Sequence, residues 1–464
     1  MRSSAVVSFL LVLAARLPAQ TSTIDWAALQ AESVRHLQEY IRINTSNPPG
    51  NEMEGARLLK GILEREGIEA QILDTAVLGA GHANLYARLK GNGAKKAIAL
   101  VHHMDVVPAV PAYWTSDPFG GEIKDGFLYG RGTLDMKGQG IAHLMAMIAL
   151  KRSGVPLTRD IVFIANTNEE NGGTGAAAFV KYHADLLRDV EYLFTEGGDN
   201  PVVNGATRYY GVGVEEKRPF GLRLVARGVP SHGSRPTKLN PVVHLVAALD
   251  RMAHYETPLH AVPGVVRYFA ALSREYTGTK RRWMQDVAAA VKVPAARAWL
   301  TSDVYWNAIL RNTIALTVLN GSNKNNVIPP EASAIVDIRL LPDQDPQAFL
   351  AEMRRVVADT SIEIIPPPTR KARMDNPIDT DLFRAVERAT HDREPTALVT
   401  TPMFTAASDR PFYRALGIIT YGFDPFRVPS VDMQKGMHGN DERISVENMG
   451  FGVHYLYDVL RNAQ

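Results

Sequence analysis

Glu169 and Glu170 stand side by side directly behind the apolar run Ile161-Val162-Phe163-Ile164-Ala165. Adjacent carboxylates repel each other unless a cation or a shared proton offsets the charge, so this pair calls for a metal ion or acid–base chemistry. Two other apolar runs end in the same kind of residue: Ala97-Ile98-Ala99-Leu100-Val101 leads into His102-His103-Met104-Asp105, and Tyr192-Leu193-Phe194 into Glu196. Asp135 lies in the loop Gly130-Arg131-Gly132-Thr133-Leu134-Asp135-Met136-Lys137-Gly138, whose glycines permit unusual backbone geometry. His438 follows Met437 and precedes Gly439. In chain order the candidates are therefore His103, Asp105, Asp135, Glu169, Glu170, Glu196 and His438. One strand-end histidine is commonly a hydrogen-bonded structural residue, and a solvated turn would explain the Asp135 loop alone. Three strand ends delivering ligand-type side chains is a stronger pattern. The chain has no cysteine, which excludes disulfides, thiolate ligands and a cysteine nucleophile. A metal must then sit on His, Asp and Glu, a donor set that suits Zn²⁺ and accepts Mn²⁺ or Co²⁺.

The elements that must position these residues read as an α/β fold: a mixed, largely parallel sheet flanked by helices. The runs at 97–101 and 161–165 are continuously apolar, as in strands buried on both faces. Ligands in such sheets gather beyond the carboxyl ends of the strands, where the candidates lie. Residues 29–42 carry a helical pattern. From about residue 213 the pattern changes: residues 220–228 and 334–340 alternate apolar and polar side chains, which suits antiparallel strands with one wet face. Asn240-Pro241 offers a helix cap followed by proline at the first helical position, and a second helix covers 349–357. Ile362 to Ile365 reads as a strand before Pro366-Pro367-Pro368, after which the first pattern resumes. The reading is one discontinuous catalytic domain, 21–212 and 368–464, interrupted by an α+β lid or dimerisation domain at 213–367. The lid is enlarged by a helical insertion at about 258–311.

A length of 464 residues with 45% hydrophobic and 22% charged side chains is ordinary globular composition. The net charge of +2 and the lack of a long basic run argue against nucleic acid as a partner. Arg2, the apolar stretch from Ala5 to Ala15 and Leu17-Pro18-Ala19 read as a signal peptide covering 1–20, hence a secreted or periplasmic protein. That stretch is too short for a stable membrane span.

Taken in order, His103-Met104-Asp105, the segment from Trp114 to Gly138, Asn168-Glu169-Glu170, Glu196-Gly197-Gly198, Ser231-His232-Gly233, Asn326-Val327-Ile328-Pro329 and Met437-His438-Gly439 resemble the M20 family of metallopeptidases. That family includes acetylornithine and succinyl-diaminopimelate deacylases, aminoacylases and glutamate carboxypeptidase. The likeness extends from about Asn47 to Asn448 and is nearest to secreted carboxypeptidases and N-acyl amino acid hydrolases. It implies a dizinc hydrolase cleaving an amide bond in a small peptide or N-acyl amino acid, the alternative being an inactive binding module on the same fold. Carried over by position, Asp135 bridges two Zn²⁺, His103 and Glu196 complete one site, Glu170 and His438 complete the other, and Glu169 is the general base. Asp105 is implied to orient the His103 ring, and the Asp135–Met136 peptide to be cis. On the lid, His232 resembles the residue that polarises the scissile carbonyl, and Asn326 with Arg339 the pair that grips the substrate near its carboxylate. An exposed strand arginine in an ion pair is the plain alternative for Arg339. The resemblance also leaves open a monomer or a homodimer through the lid. His36, His143, His244 and His454 fall on helical patterns and read as packing or surface residues. Three departures stand out: His102 replaces a usual Gly, Asn168 a frequent Asp, and Thr405-Ala406-Ala407-Ser408-Asp409 a stretch that is often glycine-rich.

Overall fold

The computed structural model describes residues 23–368, 375–429, 432 and 436–464, so the expected signal peptide lies outside the described residues. An eight-stranded mixed sheet runs in the order Ala70–Leu73, Asn84–Leu89, Ile161–Asn166, Ala97–His103, Val190–Thr195, Ile419–Phe423, Tyr210–Gly213, Val399–Thr400. The four central strands are mutually parallel, with antiparallel neighbours outside them. All residues of Ala97–His103 and Ile161–Asn166 are buried, which is why their sequences are apolar throughout. Alternate side chains enter different cores. Ile98, Leu100, Ile161 and Phe163 pack with the helices Trp26–Ile41, Lys137–Ser153 and Val446–Asn462. Ala99, Val101, Val162 and Ile164 pack with Phe179 of Thr174–Tyr182 and with Tyr413. Lys137–Ser153 is covered almost all round, and glycines and alanines along it admit its neighbours. His103 pairs with Asn166 in register, so two adjacent strands end level and deliver their following residues to one place.

A second sheet, five-stranded and antiparallel, places Thr313–Asn320 at one edge of Glu331–Leu340. Leu222–Arg227 and Arg218–Pro219 lie on that strand's other side, and Ile362–Ile365 beyond Leu222–Arg227. Helices Pro241–Ala253 and Pro346–Val357 cover one face through Leu245, Leu249, Phe349 and Met353. The Asn240 side chain accepts from the Val242 N–H at 3.0 Å, satisfying one of the first free amide donors, and Pro241 fills the first position. This is the lid. The inserted stretch forms helices from Pro263–Leu272 to Val304–Ile309 with a core of its own, and Tyr209 and Met403 from the catalytic unit complete that core. Trp283, Trp299 and Trp306, which the sequence leaves without a role, pack ring against ring there. No helix among the described residues is long and apolar enough to cross a membrane.

Candidate metal centre

The sequence candidates converge beyond the carboxyl ends of the central strands. His103 Nε2 lies 3.1 Å from Asp135 Oδ1 and 4.0 Å from Glu196 Oε1. The other Asp135 oxygen, Oδ2, lies 3.1 Å from His438 Nε2, which is 3.4 Å from Glu170 Oε2. Asp135 therefore faces two half-sites, one with each of its oxygens. Ligand atoms of His103, Asp135 and Glu170, and again of His103, Glu169 and Glu196, fall within 4.8 Å of one another. The Asp135–Met136 peptide is cis.

Asp105, expected to orient the His103 ring, meets it through its backbone carbonyl. The ring Nδ1 is 2.9 Å from the Asp105 backbone carbonyl but 3.6 Å from Oδ1. The carboxylate is otherwise engaged: it accepts the backbone N–H of Glu169 and of Glu170, each at 3.0 Å, and the Asn47 amide at 2.8 Å. A carbonyl acceptor at Nδ1 holds a proton there and aims Nε2 at Asp135 and Glu196. Asn168 adopts a left-handed backbone (φ 60°), which Asn tolerates better than most residues. Its side chain accepts from Asn47 and donates to Thr174. His102 points into the core beside Tyr40 and Phe163, and burial holds it well below its ordinary pKa. A Cβ on Gly140 would stand 2.3 Å from its ring, so the imidazole occupies space that Gly140 vacates. His143 is likewise buried, whereas His244 pairs with Asp359 at 2.7 Å on the lid.

Burial, then repulsion from Glu196, Asp409 and Glu170, pushes the Glu169 carboxyl well above its usual range against the pull of His103. Burial likewise raises Glu196. Asp135 is also desolvated, but hydrogen bonds from His103 and His438 outweigh this and hold it low. Those contacts lift His438 to about 10. The buried Glu170 Oε1 has no hydrogen-bond partner among the described residues. One buried and three part-buried carboxylates, with two imidazoles and an orphaned oxygen, form a donor set that divalent cations would satisfy.

Asp135, Glu169, Glu170, Glu196 and His438 line a cavity of about 930 Å³ whose other walls include Phe220, Phe404 and Phe412 and the lid residues Lys217, Arg218 and Arg339. Arg339 forms a two-pronged ion pair with Asp337, at 2.8 and 3.1 Å. His232 and Asn326 sit together on the lid, where the short strands Ser231–His232 and Val327–Ile328 pair, but both are exposed and neither lines the cavity. Ala406, Ala407 and Ser408 line the large cavity. Thr405 lines a smaller pocket of about 140 Å³ on the Glu196 side, closed by Tyr305 of the insertion. The sequence does not single out two supports. Glu442 accepts four hydrogen bonds around the Asp135 loop. Lys217, pulled down to about 7 by burial, donates to the carbonyls of Ala308 and Arg311 and ties the insertion to the lid. Glu442 lies four residues after His438, the one local signal that could have marked it.

The chain is 28% identical over 382 residues to the human N-fatty-acyl-amino acid synthase/hydrolase PM20D1, covering 78% of this chain and 73% of that one. It is 26% identical over 419 residues to rat aminoacylase-1B, covering 89% and 90%. Among solved structures, human carnosine dipeptidase 1 superposes with a TM-score of 0.70 at 18% identity, covering 94% of this chain and 97% of that one. The M20 family metallo-carboxypeptidase Sso-CP2 from Sulfolobus solfataricus gives 0.69 at 19% identity, covering 93% and 99%. The profile of peptidase family M20/M25/M40 matches residues 99–462. With the ligand-type side chains gathered at the strand ends of this fold, the chain belongs to peptidase family M20/M25/M40, a group of hydrolases acting on amide bonds in peptides or N-acyl amino acids.

Proposed function

We propose that this chain is a dizinc hydrolase of N-acyl amino acids whose acyl group is apolar. The observation that carries the reading is the large cavity: carboxylates and the His438 imidazole at its floor, phenylalanines on its walls and the basic residues Arg218 and Arg339 at the lid end. An aromatic wall suits a hydrocarbon chain, and the Arg339 guanidinium, held by Asp337 through Nε and Nη2, keeps its Nη1 donors for a free carboxylate. The named activity of the PM20D1 relatives supports it. Asp135 would bridge the ions, with His103 and Glu196 on one and Glu170 and His438 on the other; Mn²⁺ or Co²⁺ would fit the same donors. When bound, the cations supply Lewis acidity, lowering the pKa of water and polarising the scissile carbonyl. Glu169 takes a proton from the attacking water and returns it to the leaving nitrogen. The complete set of five ligands and a base speaks against an inactive binding module.

We also propose that the lid, 213–367, dimerises, and that His232 and Asn326 serve the cavity of a second copy. Both lie away from their own cavity, and the edge strand Thr313–Asn320 exposes Leu316, Val318 and Leu319 near exposed Val243 and Val246 of the adjoining helix. An unpaired apolar edge is a template for strand addition. The amino-terminal apolar stretch supports export of the protein. The test of substrate class is a hydrolysis screen with Zn²⁺, Mn²⁺ or Co²⁺. N-acyl amino acids with medium or long chains should exceed N-acetyl amino acids and dipeptides in kcat/KM, and a preference for unacylated dipeptides would overturn the assignment.

A further inference from the structure

We propose that Glu442 and Arg131 form a buried clasp that positions both metal-ligand loops, Glu442 fixing Asp135 and Arg131 carrying that constraint to the His438 turn. Both residues are buried, with exposures of 0% and 2%. Glu442 Oε1 accepts the backbone N–H of Leu134 at 2.7 Å and of Asp135 at 3.0 Å. Its Oε2 accepts the N–H of Gly132 at 3.0 Å and Arg131 Nη1 at 2.6 Å. The Glu442 backbone carbonyl also accepts from Gly130 N–H at 2.9 Å. One residue thus satisfies five donors in the stretch 130–135, ending on the amide of Asp135 itself. Further backbone bonds run from Arg131 N–H to Pro118 and from Thr133 N–H to Gly130. Gly132 has φ +93° and its missing Cβ would stand 2.8 Å from Val106, so the backbone is pressed too close to its neighbours for side chains to brace it.

Arg131 extends the arrangement. Its Nη2 donates to the Gly439 carbonyl at 2.6 Å, and its guanidinium lies over the Trp114 ring at 5.2 Å. His438, immediately before Gly439, has a left-handed backbone (φ 57°), which a non-glycine residue keeps only where its surroundings hold it. The fork of Arg131 therefore spans the two loops whose side chains, Asp135 and His438, approach to 3.1 Å. A planar guanidinium with fixed donors can do this; an ammonium cannot reach both acceptors in the same geometry.

The chemistry of the carboxylate makes the role testable by a near-isosteric change. Each Glu442 oxygen accepts two donors, so in Glu442→Gln the amide NH₂ meets two N–H groups whichever way it turns. The proposal rests on reading Asp135 and His438 as metal ligands, and the experiment separates the two claims. Zn²⁺ affinities are measured by chelator competition, with Co²⁺ absorption spectra to report ligand geometry, on the native chain, Asp135→Asn, Glu442→Gln and Arg131→Lys. Circular dichroism and melting of the metal-free chains run in parallel. Glu442→Gln should weaken both ions by roughly 10–100-fold, the usual effect of losing a partner that orients a ligand. Arg131→Lys should weaken one ion more than the other and alter the Co²⁺ spectrum of that site. If Asp135→Asn keeps both ions, the ligand reading itself fails. If Asp135→Asn loses them while Glu442→Gln binds both with native affinity and only melts lower, the clasp merely supports the fold and the proposal is wrong. Should Glu442→Gln not fold, Arg131→Lys decides alone: native affinities and a native Co²⁺ spectrum overturn it.

Discussion

Replacing Glu169 by Gln should abolish catalysis while leaving both metals in place, and should stabilise the metal-free chain at high pH. The backbone N–H of Glu169 is held by Asp105 Oδ1 at 3.0 Å, a bond the substitution keeps. The close contacts between imidazoles and carboxylates run from His103 to Asp135 and Glu196, and from His438 to Asp135 and Glu170. Glu169 stands outside these pairs, so the proposed ligand set survives. Loss of a positioned general base typically costs 10²–10⁴-fold, or about 2.7–5.5 kcal/mol in the barrier. The stability effect follows from linkage. Burial and neighbouring Glu196, Asp409 and Glu170 raise the folded-state pKa of Glu169 above its unfolded value, so the native chain loses stability as pH rises through the folded pKa. Gln cannot ionise and escapes that loss; each unit of raised pKa is worth about 1.4 kcal/mol above it. One dialysed preparation serves for metal content by mass spectrometry, kcat on an N-acyl amino acid and metal-free melting at about pH 6 and pH 9. A chain that retains one ion instead of two would make Glu169 a ligand. A kcat within tenfold of native would refute its role as base.

His438→Ala should weaken one of the two metals and spare the other, since its ring meets Asp135 and Glu170 but not Glu196; titration calorimetry with Zn²⁺ showing equal loss from both would contradict the division. Arg339→Ala should raise KM about 10-fold or more for substrates with a free carboxylate and little for their amides, because only the ionised group uses the guanidinium fork; kinetics on both series separate this from simple loss of the Asp337 ion pair. Asp424 is pushed up to about 7 by burial and by Asp199, and so costs the native chain stability as pH rises from about 4 to 7. Asp424→Asn, whose amide oxygen can still accept from Phe426 N–H, should therefore gain on the order of 3 kcal/mol relative to native between about pH 5 and pH 8, read from denaturant melts at the two pH values.

The placement of the candidate ligands was legible in the sequence because the pattern is local. An apolar run that ends in His or Glu marks a buried strand with a ligand-type residue at its end, and the runs before His103, Glu170 and Glu196 are three of the four central parallel strands. Helix starts such as Asn240-Pro241 were legible for the same reason, since a cap and a proline act within one turn. Other features depend on residues far apart in the chain and left no local mark. The place of His102 is one: the sequence singled out His103 as the candidate, but only the packing against Gly140 shows that the neighbouring His102 ring fills the core. The carboxylate of Asp105 is another: it braces the Glu169–Glu170 backbone, 64 and 65 residues away, while its own carbonyl orients His103. The lid divides along the same line. Alternation at 220–228 and 334–340 gave its strands, but only the tertiary structure set Arg339 in the cavity wall and left His232 and Asn326 outside it. A strand's period fixes which side chains share a face, whereas the cavity that face meets depends on how one domain folds over the other.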